Sequence, residues 1–475
     1  MNKKLKYMIL CLSLFAMGCN DWLDVQPKSQ VKEEDLFSSE SGFRDALIGI
    51  YALMGREEIY GGNSTMGFMD MLAQTYSKVG YNYEDALKYN YKEDHVKRIV
   101  DTMWCSNYNA IANCNYLLQN IAQKGDVMSE RLRNVVEGEA LALRAFLHFD
   151  LLRGYAPSYK MGKDEPAIPY VREVTNSPVV QSTVAQILEY IIADLKAAQI
   201  LLKPIDPIGP SFVEYNDKIE YEMDEYITDD GFWLYRKSRL NYYGVTALMA
   251  RVYLYQENMT DALTCAKEVI DSKRFLFMND SINNVYDYRN LSYIEKMARH
   301  EYISSLYVYD LKEGRSDLFF LNLATYECVI AEGRKASIYS GMGQDLDIRS
   351  KNWFETPAGS STEYVNKYMR GTQIPLLKLS EMYLIAAEAS GDIRYLETLR
   401  ANRGYATDPL PAGADLQEEL RKEYQKEFVA EGQLFYFYKR QNMTSIPFTA
   451  QEMNRSVYVF PVPDNELEFG NFKQN

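Results

Sequence analysis

Apolar residues recur at helical spacing along most of this 475-residue chain. That periodicity limits the possible folds more than any other feature, because apolar helix stripes must be buried against other helices. Phe43, Leu47, Ile50 and Tyr51 stand at i, i+4, i+7 and i+8, with Ser41 as the expected N-cap. The same reasoning predicts helices over Val96–Ala122, Glu130–Tyr155 and Val184–Leu202, the last two closed by Gly154 with Pro157 and by Pro204. It predicts two helix pairs, Asn241–Gln256 with Thr260–Ser272 and Leu376–Ser390 with Ile393–Arg403, and a final long helix over Leu416–Tyr438. Ala247, Ala250, Ala262 and Ala266 allow close backbone approach within the first pair. The fold class is therefore mainly α. Its helix pairs are of a degenerate tetratricopeptide type, since no clean repeat of about 34 residues is present.

Three stretches interrupt the helices. Gly55–Asn90 is rich in Gly and Tyr, and Lys203–Arg239 carries three Pro and an acidic run from Glu214 to Asp230. Arg274–Thr372 forms an irregular insertion in which Tyr302–Tyr309 alternates like a strand. These read as loops and short strands laid on a helical scaffold, where binding sites commonly sit.

Composition narrows the function. A net charge of −14 argues against a nucleic-acid binder, which needs a basic face. Three His leave little room for His-based catalysis, and no GxSxG, P-loop or HExxH motif is present. His95, His148 and His300 are isolated and read as structural. Glu423, Glu427 and Glu431 share one stripe of the final helix. Acid–base chemistry and metal binding are conceivable there, but pairing with cations such as Arg421, Lys426, Lys439 or Arg440 is the expectation. The acidic run lacks EF-hand spacing and reads as a solvated loop, so neither metal nor cofactor is expected. Cys105, Cys114, Cys265 and Cys328 show no metal-ligand spacing and read as buried free thiols.

The amino end reads as a processing signal over residues 1–18. Lys3, Lys4 and Lys6 precede an eleven-residue apolar run, Tyr7–Met17, too short to span a bilayer. Phe15-Ala16-Met17-Gly18-Cys19 resembles a bacterial lipobox, in which Cys19 becomes acylated, with Ala16 where Leu is usual. An ordinary secretory signal with an incidental Cys is the other reading. Acyl chains such as palmitate at Cys19 would hold the mature chain, 19–475, to a membrane. Asp21 and Asp24 resemble the acidic surface-export signal of Bacteroidetes lipoproteins.

Ordered motifs carry a wider resemblance. They run from Cys19-Asn-Asp-Trp-Leu-Asp-Val-Gln-Pro-Lys28 through Trp104, Tyr108, Asn113 and Leu143-Arg144-Ala145-Phe146 to Gly154-Tyr155-Ala156-Pro157. Ala250–Tyr255 and Leu379–Ala389 continue the series. Glu423-Tyr424, Glu427-Phe428, Glu431-Gly432, Lys439-Arg440 and Phe460-Pro461-Val462-Pro463 complete it. Over essentially the whole mature chain, this resembles the SusD/RagB family of Bacteroidetes outer-membrane lipoproteins. Lys378 stands where Arg is usual, and Leu434 and Phe437 replace an Arg and an Asp, as if packing replaced a salt bridge. The resemblance implies a SusD-like fold in three parts, helical over 38–273, irregular over 274–372 and helical over 373–475. It implies a non-enzymatic, surface-exposed nutrient binder with a SusC-like TonB-dependent transporter as partner. The cargo would be oligosaccharide, or oligopeptide in a RagB-like branch; a purely structural accessory of the transporter is the remaining alternative.

Tyrosine is over-represented, at 39 residues. Its flat face and polar tip suit sugar rings, although most Tyr at helical spacing belong to the core. The resemblance places ligand contacts in the loop before the third helix and in the central insertion. Tyr81, Asn82, Tyr83, Tyr286, Tyr288 and Trp353 are the ligand-binding candidates on position alone.

Overall fold

The computed structural model describes residues 33–212, 232–233, 235–277, 299–309, 311, 328–330, 332–340, 346–356, 363–368, 372–470 and 472. Cys19, the acidic run over 214–230, Tyr286 and Tyr288 lie outside the described residues.

Ten helices of eight or more residues make up the described scaffold: α1 (Glu40–Met54), α2 (Asp94–Lys124), α3 (Glu130–Tyr155), α4 (Val184–Leu202), α5 (Tyr242–Tyr255), α6 (Met259–Asp271), α7 (Leu379–Ser390), α8 (Ile393–Arg400), α9 (Leu416–Glu427) and α10 (Leu434–Gln441). Side-chain caps fix most of their starts. The Ser129 hydroxyl accepts from Leu132 N at the head of α3, and Thr183 with Gln186 forms a reciprocal capping box on α4. The cap of α1 is Ser39 rather than Ser41; its hydroxyl accepts from Gly42 N at 3.3 Å.

Each helix from α1 to α7 packs on the next in sequence, and α7 also packs on α9. The array centres on α3, which lies between α2 and α4 and is buried at every residue from Ala142 to Tyr155. Strand Tyr302–Tyr307 pairs antiparallel with Gln373–Lys378, so the first residues assigned above to a helix at Leu376 are strand. Lys78–Val79, Cys328–Ile330, Glu363–Val365 and Phe354–Glu355 build a small four-stranded sheet from the Gly/Tyr-rich loop and the insertion, in the order first, second, third, fourth as written here.

The expected helix over Leu416–Tyr438 is two helices. Helix α9 stops at Glu427, and a turn over 428–433 intervenes before α10 starts at Leu434. Ala430 and Gly432 both take positive φ there, 61° and 68°. A buried carboxylate holds the turn: Asp70 accepts from Ala430 N and, at 2.9 Å, from Gly432 N. A Cβ on Gly432 would stand 2.1 Å from Ser64 O, so only glycine fits. Apolar spacing continues in frame across the break, which is why periodicity alone runs through it. Helix α8 likewise ends early, passing at Arg400 into a wider turn over Ala401–Tyr405.

The three glutamates of the expected stripe are structural, but most of their partners come from distant parts of the chain. Glu423 meets Arg349 (2.9 Å), Arg400 (3.2 Å) and Lys426 (3.1 Å). Glu427 meets Arg349 (2.7 Å), Arg403 (2.9 Å) and Lys378 (3.0 Å). Glu431, in the turn rather than on the helix, meets Lys367 and Lys378. Of the four cations expected, only Lys426 belongs to this cluster. Arg421 pairs with Glu418, Arg440 with Glu388, and Lys439 donates to the carbonyls of Arg153 and Gly154 at the end of α3. Arg403 also grips Glu301, and Arg349 also grips Asp347. Burial pushes the Glu423 carboxyl up, but Arg349, Lys426 and Arg400 outweigh it and hold the group down at about 2. Leu434 and Phe437 are buried, and Phe437 stacks on Tyr424 at 4.1 Å, so both positions of the departed charges are packed.

Two expectations about thiols and imidazoles need separating by residue. Cys114 and Cys265 are buried free thiols, whereas Cys105 is exposed. His148 is structural: Nδ1 lies 2.8 Å from Arg144 O, Nε2 accepts from Val171 N, and burial pushes the ring down to about 3. His95 is not confined to the core, as described below.

Candidate functional site

Residues 55–67 wind tightly between the end of α1 and the next short helix. Gly61 makes this possible, since a Cβ there would stand 2.0 Å from Gly55 O. Interior bonds then fix the loop. Tyr60 donates to Asp150 of α3 at 2.7 Å, Thr65 donates to Tyr60 O at 2.8 Å, and Tyr76 donates to Met66 O at 2.6 Å. The outer side of this loop faces the first two turns of α2. There the side chains of His95, Arg98, Ile99 and Thr102 follow at i, i+3, i+4 and i+7 and so share one helix face.

Between loop and helix lies an open hollow of about 400 Å³, lined by Glu57, Glu58, Asn63, Tyr83, His95, Arg98, Ile99 and Thr102. That volume is in the range of small-molecule sites. Two hollows of similar volume differ in chemistry. One of about 410 Å³, beside Leu118, Ile121 and Leu201, has no aromatic ring among its lining residues. The other, about 390 Å³, is lined by Tyr91, Tyr155, Phe460 and Phe472. Both its tyrosine hydroxyls are engaged inward, Tyr91 on Val457 O and Tyr155 on Val100 O. The hollow before α2 combines a ring with carboxylates, a guanidinium, an imidazole and an amide.

The position-based candidates fall into three groups. Tyr81, Asn82 and Tyr83 form a single helical turn just ahead of α2. Tyr83 is a buried wall of the hollow, while Tyr81 is 81% exposed and meets the His95 ring edge-on at 6.2 Å. Trp353 is elsewhere: it is 1% exposed, with Lys367 Nζ 3.7 Å above its ring and Lys378 Nζ at 5.6 Å. Its π face covers two buried ammonium groups of the ion cluster, which leaves no ring surface for a ligand from outside. Tyr286 and Tyr288 lie outside the described residues. Sequence reading missed Glu57, Glu58, Asn63, Arg98 and Thr102, and assigned His95 a structural role. The shared face of His95, Arg98, Ile99 and Thr102 was the available signal, and it required knowing what that face looks onto.

Among the described residues, no group of three or more His, Cys, Asp or Glu could hold a metal ion, and no helix is long and apolar enough to cross a membrane. Residues 21–206 match a family model for SusD-like proteins, described as starch-binding and associating with the outer membrane. Over that segment the chain is similar to SusD-like proteins. Two curated relatives come from Formosa agariphila. SusD-like protein P25 is 27% identical over 214 residues, 42% of this chain and 38% of its own length. SusD-like protein P2 is 24% identical over an alignment spanning 98% of this chain and 97% of its own. The SusD-like fold is shared with a solved SusD-like carbohydrate binding protein from Bacteroides vulgatus. That likeness has a TM-score of 0.67 at 16% identity and covers 91% of this chain and 97% of the other. These descriptions are of binding proteins, and none names a reaction.

Proposed function

We propose that this SusD-like chain is a lipid-anchored outer-membrane protein, exposed at the cell surface, that captures oligosaccharide. It would hand its cargo to a SusC-like TonB-dependent transporter, with Cys19 as the acylated anchor. The observation that carries the reading is the hollow before α2, lined by Tyr83, Asn63, Arg98, Glu57 and Glu58, with the exposed Tyr81 beside it against His95. Ring faces stack on the C–H faces of a sugar, and carboxylate, amide and guanidinium groups pair with its hydroxyls. The family description and the carbohydrate-binding neighbour support a glycan over other cargo.

The test is a paired screen of the purified chain against a glycan array and oligopeptide pools. Saturable glycan binding, weakened when Tyr81 and Arg98 are replaced by Ala, is expected. Saturable peptide binding without glycan binding would move the cargo to peptide. Unchanged uptake by cells carrying the double variant would leave a structural accessory of the transporter.

A further inference from the structure

The loop that forms one side of the hollow touches the helix break between α9 and α10. Gly432 lies so close to Ser64 that its Cβ position is 2.1 Å from Ser64 O, 2.9 Å from Ser64 C and 3.0 Å from Thr65 Cα. Ser64 is the neighbour of Asn63, a residue lining the hollow at 6% exposure, whose Oδ1 is buried without a hydrogen-bond partner. The Asn63 backbone is bonded on both sides, its N–H to Glu57 O at 2.9 Å and its carbonyl to Met69 N at 3.0 Å. A displacement of Ser64 is therefore passed to Asn63 and to Glu57, both of which line the hollow.

Asp70 closes this arrangement. Its side chain is 0% exposed, and both carboxylate oxygens accept from the turn, one from Ala430 N and one from Gly432 N. Its own backbone lies one residue beyond Met69, the residue bonded to Asn63. Lys367 also holds the turn, donating to Val429 O at 3.2 Å and to Glu431.

We propose that Asp70 and Gly432 are positioning residues for the hollow, pressing the α9–α10 turn against Ser64 and so setting Asn63 as the specificity-determining amide. Asn63 has hydrogen-bonding capacity left, and a sugar hydroxyl can use it whichever way its amide is turned. Sites that reward a hydroxyl by pairing a buried polar group discriminate strongly against analogues lacking it. The inference rests on the hollow being the binding site, but the loop geometry it describes can be tested without any ligand.

Two variants and one control make the test. Gly432→Ala places a methyl against Ser64, and Asp70→Asn removes an acceptor while keeping side-chain size. Arg144→Met, which unpairs Asp194 of α4 and touches neither the loop nor the turn, serves as a control that perturbs the core elsewhere. Amide exchange is measured in the ligand-free proteins at Ser64, Thr65, Gly67 and Met69, whose N–H groups all bond within 59–69. Both test variants are expected to speed exchange at these amides by about tenfold, with the control leaving them unchanged relative to its global stability. If Gly432→Ala does not fold, Asp70→Asn carries the measurement. Unchanged exchange at these four amides in the folded variants, or the same acceleration in the control, would overturn the proposal. Binding is then compared using the tightest oligosaccharide from the array. About tenfold weaker binding in Asn63→Ala and in the two test variants, but not in Arg144→Met, is expected. Altered exchange with unaltered glycan binding would retain the loop coupling but reject Asn63 as the specificity group. Loss of binding in neither these variants nor Tyr81→Ala would instead reject the hollow itself.

Discussion

The ion cluster behind α9 and the hollow before α2 are both built from charged and aromatic side chains, and they differ in what those groups face. In the cluster, Arg349, Arg403, Glu423 and Glu427 are fully buried and each meets at least two opposite charges. The hollow presents Glu57, Glu58, His95 and Arg98 toward an open volume of about 400 Å³ beside an exposed Tyr81. The most recognisable motif of the chain, Glu423 to Gly432, is therefore scaffold. Burial makes each of its charges dependent on the others, because an ion left alone inside a protein carries a large desolvation cost. The hollow has no such constraint, so side chains there can vary without unfolding the chain.

That contrast can be broken first at the cluster. Arg349→Ala would leave the buried Asp347 without its cation and take one partner each from Glu423 and Glu427, and should reduce unfolding free energy by about 3–5 kcal/mol, measured by urea denaturation. A loss below about 1 kcal/mol, typical of an exposed pair, would mean that the cluster is hydrated rather than sealed.

Acid should act on the same region. Glu423 is held at about 2 in the folded chain against an ordinary value near 4.5. The unfolded chain therefore takes up its proton first, and stability present above pH 4.5 is lost as pH falls toward 2. Denaturation midpoints across that window check the sign. Asp70 should act in the opposite direction, because burial pushes its carboxyl up to about 7, against the lowering effect of the two turn N–H groups. Its unfolded form ionises first as pH rises from about 4, so its contribution is lost between there and 7. Relative to Asp70→Asn, the wild type should lose stability across that interval by at most ~1.4 kcal/mol per pH unit and stay level above it. A flat difference would show that Asp70 is ionised and accommodated throughout.

The helices were legible because they are long and capped. Glu130–Tyr155 and Val184–Leu202 end where Gly154 with Pro157 and Pro204 imply. The break between α9 and α10 was not legible, since its cause is a carboxylate 360 positions away in sequence, Asp70 on Ala430. Trp353 was misplaced for a similar reason: a Trp in an irregular insertion looks like a surface residue until Lys367 and Lys378 are seen against its ring. Tyr81 and Tyr83 were legible as loop aromatics ahead of a long helix. Asn63 and Arg98 were not, because their significance depends on two segments more than thirty residues apart facing each other across one hollow.

The smallest expected effect on stability also gives the most direct test of the account. Tyr81→Ala should change unfolding free energy by no more than about 0.5 kcal/mol, as exposed substitutions usually do. Isothermal titration of Tyr81→Ala, with the oligosaccharide that binds the wild type most tightly, should show affinity reduced at least about tenfold at unchanged melting temperature. Wild-type affinity in that variant, and again in Arg98→Ala, would contradict the assignment of glycan capture to the hollow before α2.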